Sequence, residues 1–339
     1  MKNYSKLILI PLYFMILYLS INVESYITFW LLMEMNSITI MMIMLMESSK
    51  NDNLYPFLIL IMNQVLTASL LFAFLFIINY NVSEEMIPNN LIYMILMVKL
   101  GIYPFHKWYE YSITNLSWKM CFILSTIYKI MPFLFLDKMV PHNEELMIMF
   151  CLLSIVMTSM IVLKSKSIKM IFTYSSIIHI NYMIILIHYD FSLWLIYFTM
   201  YSAMVIHFCF FANKYKINYQ FDYFILDNKV LVKMSIFLNN MSMAGLPPLS
   251  TFFLKSMLFD SMIWYYSLLL SLLMFLLNII TMLFYLMLSI PLLINNHTTY
   301  DFMITLYDWM SWNPKWLMYI HIVLTVNSPI LYLMMLYSY

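Results

Sequence analysis

The stretch MILMVKLGIYPFH, residues 94–106, joins an apolar run to a lysine, a glycine and a proline, Lys99, Gly101 and Pro104. A proline inside a helix removes the hydrogen bond to the carbonyl four residues earlier, which here belongs to Leu100. Backbone that is not helical is tolerated at membrane depth only inside protein or beside a water-filled cavity. The stretch therefore predicts a broken membrane helix, with a titratable amine at a place where water can enter.

The composition places the chain in a membrane. Of its 339 residues, 64% are hydrophobic and 10% are charged, whereas soluble domains carry about 25% charged residues. Because a helix of about 20 apolar residues crosses a bilayer, we predict an all-α membrane protein with about eleven transmembrane helices in one polytopic domain, 1–339. The predicted spans are 7–23, 26–46, 54–78, 91–107, 118–136, 146–163, 170–188, 191–213, 231–259, 264–290 and 316–337.

Several classes of chemistry need residues that this sequence lacks. Gly101 and Gly245 are the only glycines, so there is no glycine-rich loop for phosphates or dinucleotides. The cysteines, Cys121, Cys151 and Cys209, form no CxxC pair, and the histidines form no cluster with metal-ligand spacing. A net charge of +1 argues against a nucleic-acid partner. We expect the chain itself to bind no metal and no redox cofactor.

The charges of the predicted loops are divided between the two sides of the membrane. Lysines such as Lys50, Lys107, Lys169 and Lys214 occupy the loops on one side. Carboxylates occupy the loops on the other side, where Lys138 is the only loop lysine. Because lysine-rich loops stay on the cytoplasmic or matrix side, the N terminus is predicted there, and eleven spans put the C terminus on the opposite side.

Four charged residues fall well inside predicted spans: Glu34, Lys99, Lys129 and Lys255. Charges at this depth are costly and are functional candidates by default. Two structural alternatives stay open. Lys129 and Lys255 could reach the membrane surface, and Glu34 and Lys99 could form an ion pair that only fixes helix packing.

Each buried lysine lies close to a proline that interrupts its predicted helix. The combinations are Lys99 with Pro104, Lys129 with Pro132, and Lys255 with Pro247 and Pro248. A buried lysine can be switched between its charged and neutral forms by a nearby carboxylate, whereas arginine stays charged. Glu34 is the only carboxylate predicted deep in the membrane, so we expect it to pair with a lysine, above all with Lys99.

The two strongest helix breaks suggest an internal repeat. Gly101-x-x-Pro104 and Gly245-Leu246-Pro247-Pro248 fall in predicted helices four and nine. An offset of five helices reverses the direction of the chain across the membrane, and matching broken helices in inverted repeats mark transport sites. We therefore predict two inverted five-helix repeats, 1–137 and 146–290, followed by a final helix at 316–337.

Five segments carry a family resemblance. They are FWLLMEMNSI (29–38), VKLGIYPFHKW (98–108), IYKIMPF (127–133), KMIFTYSSIIHINYM (169–183) and MSMAGLPPLSTFFLKSM (241–257). Together they resemble the antiporter-like membrane subunits of mitochondrial NADH:ubiquinone oxidoreductase, respiratory complex I. The resemblance covers the chain to about residue 290.

The chain departs from the family pattern at positions near these segments. Leu32 and Thr251 stand where the family has glycine, Leu254 where it has proline, and Tyr128 where it has glutamine. The usual acidic residue that opens the third helix is missing, although Gln64 remains. The buried charges are kept.

The resemblance implies an antiporter-like bundle that takes part in proton translocation, driven by conformational and electrostatic coupling along a membrane arm. The implied site residues are Glu34, Lys99, Lys129 and Lys255, with His106 and His179 as lesser candidates on a water-filled axis. Glu34 would modulate Lys99, and Lys129 would relay the proton. Lys255 would exchange it with the outlet or with the next subunit.

The resemblance also implies a location and partners. The chain would be mitochondrially encoded, which fits its 36 methionines, and would lie in the inner membrane with its N terminus in the matrix and its C terminus in the intermembrane space. Its partners would be neighbouring antiporter-like subunits, the small membrane subunits next to them, and phospholipids. NADH, FMN, iron–sulfur clusters and ubiquinone would be bound by other subunits.

Two other functions remain open. A stand-alone cation/proton antiporter of the Mrp type would need the same lysines and helix breaks. A structural scaffold would use the buried ions only to hold helices together.

Overall fold

The computed structural model describes residues 2–47, 54–80, 86–139, 144–165, 167–220, 222–223, 230–247, 249–265 and 268–294. Within these ranges the fold is helical and contains no β-strand. The helices are α1 (Lys2–Asn22), α2 (Tyr26–Glu47), α3 (Tyr55–Tyr80), α4 (Met86–Leu100), α5 (Lys107–Asn115), α6 (Trp118–Ser125), α7 (Ile130–Lys138), α8 (Glu144–Val162), α9 (Ile168–Tyr189), α10 (Phe191–Tyr215), α11 (Val230–Ala244), α12 (Ser250–Tyr265) and α13 (Leu268–Ile294). One 3-10 turn, Ile127–Lys129, lies between α6 and α7.

Six segments of the described chain are long and apolar enough to cross a membrane: Tyr26–Glu47, Tyr55–Ile77, Trp118–Lys138, Ile168–Tyr189, Phe191–Tyr215 and Leu268–Ile290. Shorter apolar helices cover Ile8–Asn22, Asn90–Leu100 and Met147–Val162. The two most apolar, α3 and α13, leave large side chains such as Met62 and Leu269 exposed, as expected for helices that face lipid. In contrast, α9 is buried along nearly its whole length.

Every predicted span from 7–23 to 264–290 coincides with at least one helix. The two spans that were predicted to be broken are broken. The helix of 91–107 ends at Leu100, and 231–259 is divided into α11 and α12, which continues beyond the predicted end to Tyr265. The span predicted at 118–136 is also divided, by the 3-10 turn Ile127–Lys129. The span predicted at 316–337 lies outside the described residues.

The chain divides into two compact units. The first unit consists of Met1–Ser154 with Ser176–His188, and the second consists of Ile155–Ser175 with Tyr189–Tyr339. Glu34, Lys99 and Lys129 belong to the first unit, and Lys255 belongs to the second.

The predicted break after Lys99 is confirmed, and its cause is a helix cap. The amide of Gly101 donates to the carbonyl of Val98 at 3.0 Å, and the amide of Ile102 donates to that of Met97 at 3.2 Å. This pair of bonds is the Schellman motif, which needs a left-handed residue after the last helical one. Gly101 supplies it with φ +75°, so α4 ends there.

The break before Lys255 has the same geometry. The amide of Gly245 donates to the carbonyl of Ser242 at 3.2 Å, and the amide of Leu246 donates to that of Met241 at 3.3 Å. Gly245 is left-handed, with φ +82°. Both glycines of the chain therefore end a helix and release the following backbone from it.

The structure also accounts for Lys138, the exception in the predicted division of loop charges. Its Nζ donates to the carbonyl of Ser20 at 2.9 Å and to the carbonyl of Val23. These carbonyls lie at the C-terminal end of α1, where unpaired carbonyls carry partial negative charge. Lys138 thus ties the end of α7 to the end of α1.

Candidate functional site

Glu34 and Lys99 form a buried ion pair in the first unit. The Nζ of Lys99, on α4, donates to Oε1 of Glu34, on α2, at 2.7 Å. The side chain of Lys99 is 1% exposed and that of Glu34 is 16% exposed. The predicted pairing is therefore confirmed, and Lys99 lies two residues before the left-handed cap residue Gly101.

A glutamine and a tyrosine extend this pair into a network. The Nε2 of Gln64, on α3, donates to Oε2 of Glu34 and, at 2.7 Å, to Oγ of Ser37. The Oη of Tyr128, in the 3-10 turn, donates to Oε1 of Gln64 at 2.6 Å. The carboxylate of Glu34 is thus held by an ammonium on one oxygen and an amide on the other, and the chain of hydrogen bonds leads to the neighbour of Lys129.

A small cavity of about 10 Å³ borders the network. Its polar lining consists of Asn36, Ser37, Lys99 and Tyr128. Both amide atoms of Asn36 are buried and make no hydrogen bond to any residue that the structure describes. A cavity of this size with several polar partners is suited to one water molecule, which would satisfy such an amide.

Lys129 is buried as well, with 1% of its surface exposed. It ends the 3-10 turn that interrupts the helix before Pro132. Its Nζ lies 3.7 Å from the centre of the Tyr109 ring, an arrangement in which the π-face stabilises a cation. The Oη of Tyr109 is in turn 2.8 Å from Oγ of Ser176. Among the described residues Nζ of Lys129 has no hydrogen-bond partner, so this amine has no carboxylate counterpart like that of Lys99.

Lys255 is the buried lysine of the second unit. Its Nζ donates to the carbonyl of Ala244 at 3.1 Å and to Oδ1 of Asn278, on α13, at 2.6 Å. The carbonyl of Ala244 is available because α11 ends there. A Cβ on Gly245 would lie 3.1 Å from Nζ of Lys255, so the bare glycine also gives the lysine room to cross the break.

Thr251, which stands where the family has glycine, takes part in the same break. Its Oγ1 donates to the carbonyl of Ser242, one of the last carbonyls of α11. The threonine therefore links the start of α12 to the end of α11. Leu254, the other departure near Lys255, is buried in the same helix.

The two histidines that were lesser candidates are both buried. His106 is buried just before α5, where its ring stacks on Tyr103 with 5.2 Å between centres and its Nε2 is 4.0 Å from Oε2 of Glu110. His179 is buried on α9. Among the described residues, no group of histidine, cysteine and carboxylate side chains has the arrangement of a metal site.

Sequence reasoning does not assign a role to several polar residues in the hydrogen-bond networks of the buried charges. Gln64, Tyr128 and Asn278 are polar groups in apolar helices or turns, and that pattern alone singles them out. Which charge each one meets depends on packing between elements. Lys233, 5% exposed on α11, is also buried although it lies close to the start of a predicted span.

Residues 23–281 match the protein family described as NADH:quinone oxidoreductase/Mrp antiporter, transmembrane. Two relatives are NADH-ubiquinone oxidoreductase chain 2 proteins. The one from Anopheles gambiae is 30% identical over 297 residues, covering 84% of this chain and 85% of the relative. The one from Locusta migratoria is 28% identical over 306 residues, covering 87% of each.

Solved structures share the fold. A chain of respiratory complex I from Thermus thermophilus superposes with a TM-score of 0.75 at 16% identity, covering 92% of this chain and 73% of that one. A chain of the Mrp complex from a Dietzia species gives 0.70 at 12% identity, covering 79% and 57%. The fold is therefore antiporter-like, and the chain belongs to the NADH:quinone oxidoreductase/Mrp antiporter family and, within it, to the NADH-ubiquinone oxidoreductase chain 2 proteins.

Proposed function

We propose that this chain is a membrane-arm subunit of NADH:ubiquinone oxidoreductase, complex I, and that it takes part in proton translocation coupled to electron transfer from NADH to ubiquinone on other subunits. The proposal rests on the family membership and on the names of the relatives. FMN and the iron–sulfur clusters belong, in this proposal, to those other subunits. The observation that carries the role in proton transfer is the buried Lys99–Glu34 pair beside a helix break.

The pair suits a proton switch because the carboxylate decides the charge of the amine. With Glu34 in contact, the ammonium form of Lys99 is stabilised. If Glu34 moves away, a buried ammonium without a counter-charge is strongly disfavoured, and Lys99 releases its proton. Glu34 is the more exposed partner of the two, which fits a group that changes position during the cycle.

The cavity next to Lys99 offers the first step away from the pair. A water molecule there would contact Lys99 and Asn36 and reach Tyr128, the residue before Lys129. Lys129, which lies over the face of Tyr109, is the proposed relay. His106 and His179 remain lesser candidates of the same kind, supported by their burial.

Lys255 is proposed as the exchange point with the outlet or the next subunit. The carbonyl of Ala244 and the amide oxygen of Asn278 stabilise its ammonium. Both of these acceptors are neutral, so neither of them becomes a buried anion when Lys255 loses its proton.

We further propose that residues 1–137 and 146–290 are inverted five-helix repeats, with a final helix at 316–337. The shared Schellman cap at Gly101 and Gly245 supports this reading. The chain would lie in the mitochondrial inner membrane with its N terminus in the matrix and its C terminus in the intermembrane space. Neighbouring antiporter-like subunits, adjacent small subunits and phospholipids are the proposed partners, and nucleic acid is not.

The test uses the assembled complex in liposomes, with NADH:ubiquinone reduction and proton uptake measured together. Lys99→Met removes the titratable amine, and we expect coupled proton transfer to fall by at least about tenfold. Lys119→Met, which changes an exposed lysine, serves as the control and is expected to leave it unchanged. Assembly and proton transfer that are both normal in Lys99→Met, Lys129→Met and Lys255→Met would support the scaffold function instead.

A separate measurement addresses the antiporter alternative. The purified chain is placed alone in liposomes, and exchange of sodium for protons is followed. Our proposal expects no exchange by the isolated chain. Exchange that depends on Lys99 would contradict it and favour an Mrp-type activity.

A further inference from the structure

The amide of Gln64 joins Glu34 to Tyr128, and both of its ends are used. Its Nε2 donates to Glu34 and to Ser37, and its Oε1 accepts from Tyr128. A side-chain amide has two N–H donors and one carbonyl acceptor. Rotating the amide group by half a turn therefore exchanges the positions of its donors and its acceptor. In the observed orientation the carboxylate of Glu34 faces donors.

The orientation depends on the phenol of Tyr128. A carbonyl oxygen can only accept, so the hydroxyl of Tyr128 must donate to Oε1 of Gln64. Tyr128 is 4% exposed, which leaves no bulk water to replace it. Without the phenol, the carbonyl oxygen of Gln64 would be buried and unpaired. Nothing at that end of the side chain would then favour the observed orientation of the amide, in which its NH₂ group contacts Glu34.

We propose that Tyr128 is a positioning residue that orients Gln64 so that Gln64 holds the second oxygen of Glu34. This inference rests on the proposed function of the Lys99–Glu34 pair. When Lys99 becomes neutral, Glu34 would be left as a buried anion without a counter-charge. The N–H···O bond from Gln64 to Oε2 of Glu34 stabilises that anion, so the oriented amide makes the neutral state of Lys99 more accessible.

The position of Tyr128 in the chain gives the arrangement a second consequence. Tyr128 is the middle residue of the 3-10 turn that carries Lys129. A movement of this turn therefore does two things at once: it alters the hydrogen bond that orients Gln64 toward Glu34, and it displaces Lys129. The charge state of Lys99 is coupled in this way to the position of the proposed relay.

The test compares two substitutions in the assembled complex. Tyr128→Phe removes only the hydroxyl, and we expect coupled proton transfer to fall about three- to tenfold, the range of one lost hydrogen bond. Tyr128→Gln supplies an N–H donor at the same position, and we expect it to restore most of the loss. The carboxylate stretch of Glu34, assigned in the infrared spectrum with Glu34→Gln, is expected to shift in Tyr128→Phe and to return toward its original frequency in Tyr128→Gln.

A third variant keeps the test decisive if Tyr128→Phe fails to assemble. Gln64→Met removes both ends of the amide at similar size, and it is expected to shift the same infrared band and to reduce proton transfer at least as much. Wild-type proton transfer and an unshifted band in Tyr128→Phe would overturn the proposal, and so would equal losses in Tyr128→Phe and Tyr128→Gln. The proposed function is contradicted by a different result, which is normal proton transfer in Lys99→Met. The infrared measurement does not depend on that result.

Discussion

Lys99 and Lys255 are both buried, but their ammonium groups are stabilised by different partners. Lys99 contacts a carboxylate, whereas Lys255 contacts a backbone carbonyl and the amide oxygen of Asn278. The first arrangement is sensitive to the position of one anion, and the second is built from neutral dipoles fixed by two helices. The two sites therefore differ in how their proton affinity can be changed.

Glu34→Gln is expected to destabilise the assembled complex more than the loss of both charges does. The single substitution leaves Lys99 without its anion, so the buried amine either stays charged, at a cost of about 3–5 kcal/mol, or loses its proton. Glu34→Gln with Lys99→Met leaves no amine to compensate. Thermal dissociation of the complex, followed on native gels, measures the difference. The control is Lys107→Gln, at a lysine that is 76% exposed and pairs with Glu110, where at most about 1 kcal/mol is expected. A double variant whose complex is less stable than that of the single variant would contradict the ion-pair argument.

Asn278→Leu tests the site of Lys255. The substitution removes the 2.6 Å acceptor, and a hydrogen bond to a charged group contributes about 1.5–3 kcal/mol. Coupled proton transfer is expected to fall about tenfold or more, while complexes still assemble. Ser261→Ala, on α12 with a hydroxyl bonded only locally to Leu258 in the described contacts, is the matched control. Unchanged proton transfer in Asn278→Leu would remove Asn278 from the site.

For single residues, the sequence predicts which charged side chains are buried better than it predicts which neutral side chains contact them. Glu34 could be paired with Lys99 because no other carboxylate is predicted deep in the membrane. Tyr128, Gln64 and Asn278 could not be placed, since each meets its partner from another element. Their contacts depend on the relative rotation of helices, which a single sequence does not specify.

The helices themselves are interrupted by local causes that the sequence makes visible. Gly101 and Gly245 adopt the left-handed conformation of the Schellman cap, and a nearby proline prevents the helix from resuming at once. In contrast, α5 (Lys107–Asn115) follows the first break without a comparable signal. Its sequence KWYEYSITN is short and mixed in polarity, so an apolar-span pattern does not detect it.

Gly101→Ala is expected to destabilise the first break by about 1–3 kcal/mol. A left-handed conformation is unfavourable for alanine, and the added Cβ would lie 2.9 Å from Cβ of Tyr109, a contact with little freedom to relax. Reduced thermal stability of the assembled complex checks the expectation.

Gly245→Ala is the matched comparison. There the nearest atoms belong to the flexible side chain of Lys255, at 3.1 Å, so a smaller loss of stability and a larger loss of proton transfer are expected. Equal stability of Gly101→Ala and the wild type would contradict the role assigned to the cap.

On the scale of the whole molecule, composition alone predicts an all-α membrane fold, and hydropathy places its spans. The spans up to 264–290 coincide with helices because long apolar runs have few alternatives in lipid. Six described segments are long and apolar enough to cross a membrane. The count of eleven, the orientation and the inverted repeats stay predictions, and 316–337 lies outside the described residues. Loop charges predict the orientation because they influence how the chain is inserted into the membrane. Contacts between packed helices do not depend on that orientation, so the fold does not test it.

Labelling from the two sides of the membrane tests the orientation. Lys119→Cys and Glu24→Cys place thiols at exposed positions on opposite predicted sides, and the native cysteines are buried. A membrane-impermeant maleimide is expected to modify Lys119→Cys only from the matrix side and Glu24→Cys only from the intermembrane space. The reverse pattern would invert the proposed topology.

The cavity beside Lys99 has a bearing on which ion can pass. A space of about 10 Å³ accommodates a single water molecule and has no room for a sodium ion with its hydration shell. Proton transfer at this point would have to proceed by hopping. In each hop an O–H bond and a hydrogen bond exchange, while the oxygen atom of the water stays in place. Selectivity against alkali cations would then rest on the cost of removing the ion's hydration shell, set by how tightly α2 and the Tyr128 turn close around one molecule of solvent.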